Sequence, residues 1–125
     1  IMDVDGCRET KLTNIDENKW IIGTNSGDIH ECGTSHKWEG HKKGITALTA
    51  LSEECFVSSA RDGTIKKWHI NSSAAVNTIR THFDCGASAL VVLPNEYIAA
   101  AGPFYIYLWN LLFVIYCYGS FCAIK

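Results

Sequence analysis

No two cysteines of this 125-residue chain form a C-x-x-C pair. The six that occur, Cys7, Cys32, Cys55, Cys85, Cys117 and Cys122, are separated by 25, 23, 30, 32 and 5 residues. That spacing lacks the paired thiolates of a zinc site, and no metal or cofactor is expected. A secretory leader, with its charged start and apolar stretch, is also missing from the opening residues. Reduced thiols packed as small hydrophobes in a cytoplasmic protein are therefore the expectation. Asn71-Ser72-Ser73 fits a glycosylation acceptor, but the match is short and needs a secretory route. Excess charge is absent too: 11 Lys and Arg face 13 Asp and Glu, for a net charge of -2, which argues against a nucleic-acid partner. Nor is there a G-x-S-x-G turn to lift a nucleophilic serine.

What is present is an apolar chain of single-domain length, 47% hydrophobic and 11% aromatic, enough to build a core. Its charge is uneven. Residues 1–40 carry eight acids and four bases, whereas residues 41–82 carry three acids and six bases. An internal repeat organises the rest. A shift of 41 residues superimposes His41 on His82, Phe56 on Tyr97, Val57 on Ile98, Ala60 on Ala101, Ile65 on Ile106 and Trp68 on Trp109. A further one-residue adjustment aligns Ala47, Leu48 and Leu51 with Ala89, Leu90 and Leu93. A shift of 36 finds a fainter upstream copy, with Trp20 on Phe56, Ile21 on Val57, Gly27 on Gly63 and Ile29 on Ile65.

Each copy is made of short runs rich in Val, Ile, Thr and aromatics, broken by Gly, Asp, Asn, Ser or Pro, which is strand chemistry. In the central copy the spacing predicts strands near 45–51, 55–60, 64–68 and 76–80, with Asp62-Gly63 closing a tight hairpin. Four strands per unit of about 40 residues is the pattern of a propeller blade. The expected fold is all-β: an incomplete propeller of about three blades, each a four-stranded antiparallel sheet. Residues 1–39 are taken as a divergent first blade, 40–80 as the best-formed blade, 81–110 as a degenerate third and 111–125 as an apolar tail.

Gly40-His41, followed by "SSARDGTIKKW" at 58–68, resembles a WD-repeat, and Trp68 follows His41 by 27 positions as Trp109 follows His82. The departures are His69 after Trp68, Thr81-His82 in place of Gly-His, Gly102-Pro103 at the third hairpin, and Ser26-Gly27 with Cys32 in the first copy. The resemblance implies that His41, Ser58, Asp62 and Trp68 form a structural hydrogen-bond network rather than a hydrolytic site. It implies that the third copy, with Ala99 and Pro103 in the serine and aspartate slots, cannot build that network. It also implies a non-catalytic scaffold for protein partners, presenting loops that carry Lys42, Lys43, Arg61, Phe83 and Asp84.

"IIGTNSGDIHE" at 21–31, then "EGHKKGITAL" at 39–48 and "FVSSARDGTIKKW" at 56–68, is similar to the echinoderm microtubule-associated-protein-like branch. That narrower resemblance implies tubulin or microtubules as the partner and a cytoskeletal location. Lys67 stands where the third copy has Leu108 and is expected to reach a rim or mark a groove. His30, His36 and His69, with Asp28, Glu31 and Glu39 nearby in sequence, follow no ligand spacing and are expected at the surface.

The run 104–124 is uncharged for 21 residues and long enough to span a bilayer. Three explanations are open: a divergent fourth strand, a membrane anchor for an interaction protein, or an end foreign to the mature chain. No flanking Lys or Arg cluster sets a membrane orientation. Three units do not close a ring of four to eight blades, so further repeats or further copies are expected. An enzyme built on the propeller would need a polar constellation outside the His41–Trp68 network.

Overall fold

Hydrophobic side chains alternate with polar ones along the β-branched runs, and a strand turns alternate side chains to opposite faces of its sheet. The regular elements among the described residues are accordingly all strands. The computed structural model describes residues 11–81, 86–94, 97–102, 106–109 and 114–118. They form three antiparallel four-stranded sheets, each a simple meander in chain order. The first contains β1 (Lys11–Asp16), β2 (Lys19–Gly23), β3 (Ile29–Glu31) and β4 (Lys37–Trp38). The second contains β5 (Ile45–Ala50), β6 (Cys55–Ala60), β7 (Thr64–His69) and β8 (Ala75–Arg80). The third contains β9 (Ala89–Leu93), β10 (Tyr97–Ala101), β11 (Ile106–Trp109) and β12 (Val114–Tyr118).

The central strands stand within a residue of the expected spans. Gly63, at φ 84°, closes the expected hairpin with its N–H on the Ala60 carbonyl at 3.1 Å. The third sheet extends past the expected limit at 110, because β12 pairs with β11 from inside the apolar tail. Of the three explanations for that tail, the divergent fourth strand describes residues 114–118. Among the described residues no helix is long and apolar enough to cross a membrane.

Two apolar layers join the sheets. Between the first and second lie Ile15, Ile21, Ile29 and Trp38 from one side and Ile45, Phe56, Ala60, Trp68 and Ile70 from the other. Trp38 meets Phe56 edge-on, with centroids 4.9 Å apart, and donates its indole N–H to the His69 carbonyl at 3.2 Å. Between the second and third sheets lie Val57 and Ile65 against Ala87, Ile98 and Ala100. Each fully buried large side chain in these layers contributes about 1.5–3 kcal/mol relative to exposure. Leu12 and Trp20 are exposed on the far side of the first sheet, and Val91 and Ile106 on the far side of the third.

The sheets approach closely where a connecting segment passes over the preceding hairpin. A Cβ on Gly44 would lie 2.6 Å from the Asn25 carbonyl oxygen, and one on Gly86 would strike the Ala60 carbonyl. Gly86 also has a φ of 82°, so its slot excludes side chains twice over. Beside it, the Ala87 N–H donates to Ser59 Oγ at 2.9 Å, fastening the third sheet to the second.

The repeat register needs one correction. Ser59 pairs with Ile65 in the second sheet, leaving five residues between them, whereas Ala101 pairs with Ile106 in the third, leaving four. Phe56 pairs with Trp68, and Ile98 with Trp109. The single-residue offset thus falls in the third hairpin. Ile98, not Tyr97, occupies the slot of Phe56, and Ala100, not Ala99, occupies that of Ser58. Burial agrees, since Ile98 and Ala100 face the second sheet and are almost fully enclosed.

Candidate functional site

Strand alternation sends Phe56, Ser58 and Ala60 to the face of β6 that meets the first sheet, and Thr64, Lys66 and Trp68 to the same face of β7. His41, in the segment before β5, enters this face from above. Trp68 Nε1 donates to Ser58 Oγ at 2.8 Å, and Ser58 Oγ lies 2.6 Å from His41 Nε2. His41 Nδ1 lies 3.0 Å from Thr64 Oγ1, and the Thr64 hydroxyl donates to Asp62 Oδ1 at 2.6 Å. Asp62 also accepts the Thr64 N–H on Oδ1 and the Lys42 N–H on Oδ2, each at 2.9 Å.

Proton bookkeeping gives this chain one direction. Those donors outweigh the burial that would otherwise raise the Asp62 carboxyl, and hold it at about 2, so it is ionised and acts as an acceptor. Thr64 has a single hydroxyl proton and gives it to Asp62, so His41 Nδ1 must carry a proton. Burial lowers the His41 imidazole to about 4, against the opposing pull of Asp62, so the ring is neutral and Nε2 is an acceptor. Ser58 therefore donates to Nε2 while accepting from Trp68. Every polar atom along Trp68–Ser58–His41–Thr64–Asp62 is satisfied, as buried polar groups require.

Serine, histidine and aspartate thus lie in the order of a hydrolytic triad. Access decides against that chemistry, because Ser58 is 0% exposed and its oxygen already holds the indole N–H. A nucleophile must reach its substrate. The four residues expected to form a structural network stand together, and the structure adds Thr64, which bridges His41 to Asp62. Alternation from Trp68 back along β7 was the available signal for it.

The two loops flanking this network are tied to each other. Besides the Lys42 N–H bond to Asp62, the Arg61 N–H donates to the Gly44 carbonyl at 2.8 Å. Lys42, Lys43 and Arg61 are all exposed on these loops. Phe83 and Asp84 lie outside the described residues. Lys67 is half-buried on the opposite face of β7, paired with Val57. Its neighbour Lys66 lines a pocket of about 200 Å³ with Gly40, Lys42, Asp62, Thr64, Thr78 and Arg80. His30, His36 and His69 are each part-exposed. His36 stacks near Trp38, with centroids 4.2 Å apart, and sits 3.7 Å from Glu31. Among the described residues no group of three His, Cys, Asp or Glu side chains could hold a metal ion.

A chain in the crystal structure of a mitotic checkpoint complex superimposes with a TM-score of 0.75 over 87% of this chain and 37% of its own, at 20% identity. The structure of U3-55K gives the same TM-score over 87% of this chain and 36% of its own, at 18% identity. The fold is a partial WD40 propeller. No protein-family profile matches the propeller segment. Its curated relatives suggest the WD-repeat family. F-box/WD repeat-containing protein sel-10 of Caenorhabditis elegans is 35% identical over 54 residues, 43% of this chain and 9% of that protein. E3 ubiquitin-protein ligase COP1 of Pisum sativum is 30% identical over 64 residues, 51% of this chain and 10% of that protein. The match thus spans about a tenth of those relatives' length.

Proposed function

We propose that this propeller segment is part of a non-catalytic, cytoplasmic platform that holds partner proteins on the rim formed by loops 40–44 and 60–64. The observation that carries this reading is the tie between the two loops. Asp62 and Gly44 accept N–H groups across them, so Lys42, Lys43 and Arg61 are displayed from a rigid base. Rigid display lowers the ordering cost of association, and a cationic rim favours encounter with acidic surfaces. The test is the double reversal Lys42→Glu, Lys43→Glu in the full-length protein, read by proximity labelling and thermal melting. The expected result is loss of a defined set of partners at an unchanged melting temperature. Retention of every partner would sink the reading.

Two narrower forms are distinguishable. The name of COP1, an E3 ubiquitin-protein ligase, supports a role in a ubiquitin ligase, in which the lost partners would include proteins whose ubiquitination falls with the reversal. Microtubule binding has electrostatic support from the cationic rim, although neither relative's name refers to microtubules. It requires co-sedimentation with microtubules that the double reversal abolishes.

A further inference from the structure

We propose that the pocket beside the network is a phosphoryl-binding site. Antiparallel pairing sets Lys66 opposite Thr78 and Thr64 opposite Arg80, so these four side chains share one face of the β7–β8 ribbon. Lys42, on the loop before β5, lines the pocket with its backbone tied to Asp62, and Gly40 leaves the wall bare of a side chain. Lys66 is half-buried, and its ammonium donates to Thr78 Oγ1 at 3.1 Å. Among the described residues Lys42, Lys66 and Arg80 have no carboxylate ion-pair partner.

The one acid in the lining, Asp62, offsets one of the three charges and is already engaged. Its Oδ1 takes both donors of Thr64, and its Oδ2 takes the Lys42 N–H and lies 3.5 Å from His41 Nδ1. Three cations less one carboxylate leave two positive charges. A phosphoryl group carries close to two negative charges and three strong acceptor oxygens. Cations that converge from a loop and two strands suit such a tetrahedral anion, with the Arg80 guanidinium able to grip two of its oxygens. The same chemistry could come from free phosphate or from a phosphorylated side chain of a partner.

The test is an NMR titration of the full-length protein at physiological ionic strength with inorganic phosphate, repeated with phosphothreonine peptide libraries and their unphosphorylated counterparts. Saturable shifts at residues 40, 42, 66, 78 and 80 are expected, weakened about tenfold or more by Lys66→Gln and by Arg80→Gln at unchanged melting temperature. Enrichment of phosphorylated over unphosphorylated peptides with the same dependence assigns the group to a partner polypeptide. Binding of phosphate alone assigns it to the free ion. Absence of saturable binding by either probe overturns the proposal, as do shifts that survive both substitutions or follow ionic strength across the whole surface. Lys42 belongs to both sites, so the two proposals are separated by Lys66→Gln and Arg80→Gln, which remove pocket cations while leaving Lys42, Lys43 and Arg61 on the rim: phosphoryl binding lost with the partner set kept supports this site alone.

Discussion

The hairpins of the first and second sheets have the same backbone and different chemistry. Gly27 and Gly63 both have positive φ, at 99° and 84°, and both send an N–H back to the carbonyl three residues earlier. In the second hairpin Asp62 reaches out to the segment before β5. In the first, Ser26 stands in that slot, and its hydroxyl only meets Thr24 at 2.9 Å. Ile22 and Cys32 fill the slots of Ser58 and Trp68. Glycine alone therefore sets the turn. The polar chain is an added tie, present in the second sheet, where Phe56 is 0% exposed, and absent from the first, where Trp20 in the same slot is 41% exposed.

The largest test of this contrast is Trp68→Ala against Cys32→Ala. Removing the fully buried indole should cost about 3–5 kcal/mol, by cavity formation and by stripping Ser58 of its donor. The half-buried thiol should cost about 1 kcal/mol or less. Thermal melts of the full-length protein compare the two, and equal losses would erase the distinction between the slots.

Acid should erode the second sheet selectively. His41 is neutral in the fold, with its titration near 4 rather than 6.5, so its contribution is complete above pH 6.5 and declines as pH falls toward 4. The size is about 3 kcal/mol at most. Asp62, held at about 2 rather than 3.8, extends the decline below pH 4 by a smaller amount, because its carboxylate borders solvent. Stability measured against pH should slope through this window, and His41→Gln should flatten the portion between 6.5 and 4.

A middle-sized effect is expected of Gly86→Ala, about 2 kcal/mol, from the collision with the Ala60 carbonyl and the positive φ together. The smallest contrast is between the hairpins themselves. Asp62→Ala should cost about 1–2 kcal/mol by orphaning the Thr64 and Lys42 N–H groups, and Ser26→Ala under about 0.5 kcal/mol. Chemical denaturation resolves both, and a reversed order would mean that the polar tie is not what distinguishes the sheets.

The fold was legible because β-branched runs and Asp62-Gly63 mark strands and turns locally, and because three copies repeat those marks. The site was legible where residue type is distinctive: His41, Ser58, Asp62 and Trp68 stand out in a run of strand formers. Thr64 did not, since threonine is unremarkable in a strand and only the pleat places its hydroxyl between imidazole and carboxylate. The third copy was misaligned by one residue because apolar residues on either side of Ile98 offer no polar mark to fix the register. Lys66 and Arg80 became a pocket only when β7 and β8 paired, a relation between residues fourteen apart that no local pattern records.

The bond from Trp38 to the His69 carbonyl has an energetic consequence. It joins the last strand of one module to the end of the third strand of the next, so the two modules are coupled as neighbours in a one-dimensional array. Removal of the indole N–H by Trp38→Phe should therefore speed amide exchange in both the first and the second sheet, which makes Trp38 the clasp through which fraying of one module reaches the other.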